Sequence, residues 1–103
     1  MRMADLERAD LSHADLRSAD LLSCRLTGAD LRGAALAGAS LRGAILIGTD
    51  LRHTDLVDVD LARARWSRRP LKGIPPTRWP DAFDPAAPAA GLQLFEPTPH
   101  DFP

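Results

Sequence analysis

The sequence of 103 residues holds a single cysteine, Cys24, and no proline before Pro70. One cysteine excludes an intramolecular disulfide, and no Cys or His cluster has metal-ligand spacing, a pattern that suits a reducing compartment. No apolar run approaches the ~20 residues needed to span a bilayer. The opening MRMADLERAD has no signal-peptide core, so a cytoplasmic protein without a membrane partner is expected. Neither sign of charge is in excess, because 13 Lys and Arg face 14 Asp and Glu for a net charge of -1. Bulk charge therefore points to no direct nucleic-acid partner and no anionic lipid surface. A phosphate-binding loop, a dinucleotide fingerprint, a nucleophile elbow and a zincin helix are also missing. The chain is expected not to be an enzyme and to use no catalytic residue, cofactor or metal.

What is present is a lattice. Leucine stands at 6, 11, 16, 21, 26, 31, 36, 41, 46, 51, 56 and 61, and Trp66 falls on the next point, so that twelve of the sixteen leucines are used this way. Two places before each lattice point the residue is small, from Ala4 and Ala9 through Cys24, Thr49, Thr54, Val59 and Ala64. One place before, aspartate dominates, as in Asp5, Asp10, Asp15, Asp20, Asp30, Asp50, Asp55 and Asp60. The unit reads Ala-Asp-Leu-x-x.

In an α-helix five residues advance ~500°, so these leucines would spiral round the axis and leave no apolar stripe. In one straight strand an odd period sends alternate leucines to opposite faces. They gather only if the chain turns a corner once per unit, with Ala and Leu inward and Asp outward. Four such units close a square and stack into a solenoid with ~4.8 Å between coils, although the spacing leaves the number of sides open. If Leu, the next two residues and the following small residue form the corner, a type II turn needs positive φ at its third position. Gly28, Gly33, Gly38, Gly43 and Gly48 stand there. Type II corners are expected at these glycines, and other turn types where Arg8, His13, Ser18, Ser23, His53 and Asp58 stand.

Tandem A-D-L-x-x over residues 4–68 resembles the pentapeptide-repeat family. The resemblance implies an all-β fold, a right-handed quadrilateral β-helix with twenty residues per coil and hence about three coils. The stretch TRWPDAFDP, residues 77–85, is similar to a T-x-W-P-x-G-F-D-P segment that follows the repeats in bacterial members. Ala82 replaces the usual glycine, and AAPAA before Gly91 looks like an insertion.

The organisation expected is thus a repeat domain over 4–68 and an irregular Pro-rich C-terminal capping tail over 69–103. That tail holds all nine prolines, which disfavours long regular elements. It also carries enough apolar residues to cover an exposed coil end. Trp66, Trp79 and Phe83 are the expected cap, packing on the last coil, with the chain beyond about residue 96 frayed.

With twenty residues per coil, Asp10, Asp30 and Asp50 form one outward column and Ser12, Arg32 and Arg52 its companion, a self-neutralising ladder worth little per pair. A second column runs Asp5, Arg25, Ile45 and Arg65, beside Glu7, Thr27, Ile47 and Ser67. Ile45 and Ile47 flank inward Leu46 and are expected to face solvent, with Leu22 and, on a third face, Val57 also outward. These four form the candidate interaction patch, open to the tail or to a second protein. His13 and His53 share a corner column two coils apart, roughly 10 Å at strand spacing, too far to ligate one metal together. Cys24 occupies an inward slot and reads as a buried thiol rather than a nucleophile.

The function expected is a non-catalytic interaction or scaffold module that presents a rigid surface to an unidentified protein. With only Met1–Met3 ahead of the first unit, the N-terminal coil has no evident cap, so a homodimer through that end or the aliphatic face is also expected. The family resemblance implies an alternative, since some members act on DNA gyrase by imitating duplex DNA. Residues 4–68 hold ten acidic residues against nine Arg, and three coils rise only about 15 Å. Near-neutral charge and short length both disfavour a mimic.

Overall fold

The computed structural model describes residues 2–70, 72–81, 83–87 and 90–95. The expected fraying beyond residue 96 and the replacement at Ala82 lie outside the described residues.

Each Ala-Asp-Leu segment is extended and joins its counterpart twenty residues on. Parallel bridges link Asp5 to Arg25 to Ile45 to Arg65 on a first face and Asp10 to Asp30 to Asp50 on a second. Asp15 pairs with Ala35 on a third face, and Asp20, Ser40 and Asp60 on a fourth. The chain thus turns four corners before it returns to the same face. Asp30 N–H donates to Ala9 O on one side at 2.9 Å, while Leu31 N–H donates to Asp50 O on the other at 2.8 Å. The odd period that defeats a straight strand is absorbed at the corners, so every lattice leucine turns inward. Leu21, Leu26, Leu31, Leu36, Leu41, Leu46 and Leu51 are completely buried. Leu6, Leu11 and Leu56, nearer the two ends of the stack, are only partly covered.

The corners correct one expectation. The φ angles of Arg8, His13, Ser18, Ser23, His53 and Asp58 lie between 55° and 65°, close to the 67–73° of the corner glycines. All corners share one positive-φ conformation whether or not glycine is present. The reason is stacking, because His13 N–H donates to Arg32 O and Ser18 N–H to Ala37 O, both at 2.9 Å, and a differently shaped corner would break that register. Left-handed backbone costs about 1–2 kcal/mol for a residue with a Cβ, which the ladder bonds on both sides offset. At Gly33 a Cβ would also lie 2.7 Å from Nδ1 of His13 in the neighbouring coil, so the imidazole would have to move aside.

Aspartate has a local task as well as a surface one. Oδ1 of Asp5, Asp10, Asp15, Asp20, Asp30, Asp50, Asp55 and Asp60 accepts the N–H of the residue two places on, at 3.0–3.2 Å. These Asx turns supply a partner for the first corner N–H.

Two three-residue strands close the structure: β1, Arg65–Ser67, and β2, Gln93–Phe95, run parallel with Arg65 opposite Gln93 and Trp66 opposite Leu94. Between them the tail resumes the lattice. Arg78 bridges to Asp50, and the Thr77 hydroxyl donates to Leu46 O at 2.6 Å as the Thr49 hydroxyl does to Leu26 O at 2.7 Å. Thr77-Arg78-Trp79 therefore stands in for Ala-Asp-Leu, with Trp79 in a leucine's place. Asp50 to Arg78 and Arg65 to Gln93 are both steps of twenty-eight residues rather than twenty. The excess leaves at Ser67 and returns at Thr77, whose N–H donates to Ser67 O at 2.9 Å while its hydroxyl accepts Ser67 N–H at 2.9 Å. The inserted residues are consequently the loop after Ser67. AAPAA adds nothing to the spacing, because as many residues separate Arg78 from Gln93 as separate Asp50 from Arg65.

Candidate functional site

On the second face two of the three aspartates are paired with arginines. Arg32 pairs with Asp30 and Arg52 with Asp50, each at 2.7 Å, and Arg32 also lies 3.9 Å from Asp50 one coil on. Hydrogen bonds from Arg32 hold the Asp30 carboxyl down to about 2, and those from Arg17 do the same for Asp15. Burial pushes Asp50 upward, but the bonds from Arg52 outweigh it and its pKa lies below the ordinary carboxylate range. The Ser12 hydroxyl lowers Asp10, and the Arg2 guanidinium lowers Asp20. Carboxylates held ionised this firmly are poor proton carriers near neutrality.

The third face behaves differently. Among the described residues no bridge joins Ala35 to Asp55, although every neighbouring face is bridged at that level. The corner bonds beside it, Thr54 N–H to Leu51 O and Val59 N–H to Leu56 O, are both 3.3 Å, against 2.9–3.1 Å at the other corners. Thr54 and Val59 put β-branched side chains in slots that are alanine in the preceding coil, Ala34 and Ala39. Thr54 further ties its hydroxyl back to Leu51 O at 2.7 Å. These two β-branched residues stand on either side of the unbridged segment, where added bulk disfavours close stacking.

Against it the returning tail leaves a groove made of two adjoining hollows. One, of about 380 Å³, lies among Thr54, Asp55, Leu56, Val57, Pro80, Asp81 and Phe83. The other, of about 490 Å³, shares Leu56 and Phe83 and continues along Val59, Asp60, Leu61, Asp84, Ala87 and Gly91. Its floor is apolar and its rim carries four carboxylates. Among the described residues no Lys or Arg lines either hollow. Asp60 has a cation 3.7 Å away in Arg42, whereas among the described residues Asp55, Asp81 and Asp84 enter no ion pair.

The structure does not bring the candidate patch residues together. Ile47, expected to face outward and open to the tail or to a second protein, is only 9% exposed. The loop after Ser67 folds over that corner, with Ile74 Cγ2 and Pro75 O against the neighbouring Gly48. Leu22 and Ile45 are half-buried. Val57 is 64% exposed and lines the groove, on the opposite side of the solenoid from Ile47. Trp66 is buried, and Trp79 and Phe83 pack against the leucine core. Trp79 meets Trp66 edge-on at 6.1 Å between centroids and stacks on Phe83 at 5.0 Å. Cys24 is buried in the core. Among the described residues no group of His, Cys, Asp or Glu is placed to hold a metal ion, and no helix is long and apolar enough to cross a membrane.

Sequence reasoning missed the groove, because its far wall is the tail. Two signals were present: Thr54 and Val59 in alanine slots, and the displaced Thr77-Arg78-Trp79 triplet.

The twenty-residue bridges, inward leucines and positive-φ corners define a repeat protein of solenoid class. The family model described as pentapeptide repeats matches residues 1–33 and 24–63 with eight copies, and the chain belongs to this family, whose fold is a right-handed β-helix. Among solved structures it is similar to a pentapeptide repeat protein from the thylakoid lumen of Arabidopsis thaliana, with 34% identity and a TM-score of 0.58 over 59% of this chain. The chain spans 42% of that protein. It is also similar to a pentapeptide repeat protein from Nostoc, with 32% identity over 90% of this chain and 82% of that one, at a TM-score of 0.45. No curated protein matches.

Proposed function

We propose that the chain is a non-catalytic interaction module, a quadrilateral β-helix of about three coils closed by its tail, and that it receives a partner in the groove beside Leu56 and Phe83. The observation that carries this reading is the contrast in charge pairing. On the second face Arg32 neutralises Asp30 and Arg52 neutralises Asp50, while Asp10 is held by Ser12. Around the groove Asp55, Asp81 and Asp84 have no cation of their own among the described residues, beside exposed Val57 and half-buried Leu56 and Phe83. An apolar floor with an unneutralised acidic rim suits a basic, partly apolar protein segment.

Affinity capture with the wild type, a groove variant (Asp81→Lys with Asp84→Lys) and a control on the first face (Arg25→Glu) tests the reading. A protein held by the wild type and the control but released by the groove variant is the expected result. Equal retention by all three rules the groove out as the docking surface.

A further inference from the structure

The segment that matches the groove in chemistry is in this chain. The loop inserted after Ser67 begins Arg68-Arg69-Pro70-Leu71-Lys72, three cations around one leucine. Arg68, Arg69 and Lys72 are exposed, and among the described residues none of them enters an ion pair. Arg68 lies over the Trp66 ring at 5.7 Å, leaving Arg69 and Lys72 without an anion.

The loop cannot serve its own groove. Its base is the Ser67–Thr77 pair, and it folds over Gly48, at the corner between the first and second faces. The groove lies at the corner between the third and fourth faces, where Val57 and Val59 stand. These corners are diagonal to one another across the solenoid, with the stack of Trp66, Trp79 and Phe83 packed against the core between them.

We infer that this chain associates with a second copy of itself, the basic loop beginning at Arg68 of each protomer entering the acid-rimmed groove of the other. Loop and groove lie at the same end of the solenoid. A two-fold axis perpendicular to the solenoid and passing through the two remaining corners exchanges the diagonal pair while it turns the copies end to end. Both contacts then form together, as a closed isologous dimer requires. Residues 96–103 are a poorer occupant, since they carry Glu96 and Asp101 and no Lys or Arg.

The inference rests on the groove's being a docking surface, and the test separates the two. Sedimentation of the wild type over a wide range of concentration is expected to show twice the 11.1 kDa monomer, dissociating as salt screens the pairs. A groove variant, Asp81→Lys with Asp84→Lys, and a loop variant, Arg69→Glu with Lys72→Glu, should each sediment as monomers with unchanged circular dichroism, because like charges then meet. An equimolar mixture of the two variants should restore the dimer, since one contact pairs the reversed surfaces and the other pairs the native ones. A wild type that stays monomeric, a single variant that dimerises undiminished, or a mixture without complex overturns self-docking. If the groove variant still releases a captured partner in any of those cases, the groove reading stands and self-docking alone has failed.

Discussion

Arg78 pairs with Asp50 as Asp50 pairs with Asp30, although twenty-eight residues separate the first couple and twenty the second. The lattice is therefore a property of space before it is one of sequence. A segment with no leucine joins it once its small, outward and inward positions are filled by Thr77, Arg78 and Trp79.

The loop that makes up the difference should register at Gly48. There φ is +72°, and a Cβ would stand 2.3 Å from Ile74 Cγ2 and 3.0 Å from Pro75 O. At Gly28 φ is +70° and the nearest side-chain atom is 3.4 Å away. Gly28→Ala is expected to cost about 1–2 kcal/mol from backbone strain. Gly48→Ala should cost about 1–3 kcal/mol more from overpacking. Urea denaturation of both variants checks the difference, and equal midpoints would place the loop elsewhere.

Acid should weaken the stack through its second and third faces. Asp15 and Asp30 titrate at about 2 in the folded chain, below the ~3.9 of an unperturbed aspartate. Their folded pKa values are depressed, so their contribution is complete above pH ~4 and is lost as pH falls toward 2. Carbon-13 titration of the carboxyls should give midpoints near those values. Thermal midpoints should fall over the same window, and Arg32→Met should raise the Asp30 midpoint.

Hydrogen exchange should find the unbridged segment. Leu31 N–H donates to Asp50 O and Leu41 N–H to Asp60 O, each at 2.8 Å, whereas Leu36 N–H and Gly38 N–H have no backbone acceptor among the described residues. The amides of Leu36 and Gly38 are expected to exchange faster than those of Leu31 and Leu41 even though Leu36 is fully buried. Equal protection along the four would mean that the third face is bridged in solution.

The aromatic plug separates packing from polarity. Trp79 Nε1 is buried and has no hydrogen-bond partner among the described residues, so Trp79→Phe removes an unsatisfied donor along with part of the ring and should cost less than about 1.5 kcal/mol. Trp79→Ala opens a cavity between Trp66 and Phe83 and should cost about 3–5 kcal/mol. Calorimetry of the two variants distinguishes them.

The period of five was sufficient to predict which residues turn inward, which turn outward and where the chain bends, because each is settled within one unit and repeated by its neighbours. From it followed the buried series Leu21 to Leu51, the small slots above them and the glycine corners. The positive φ of His13 and Asp58 was not legible, since neighbouring coils impose it against the local preference of the residue. Nor were the lattice place of Thr77-Arg78-Trp79 or the groove beside Leu56, and the choice between the tail and a second protein as the cover of Ile47 was left open. These depend on where an aperiodic, proline-rich segment comes back against the stack, and that is decided by contacts between residues far apart in the chain.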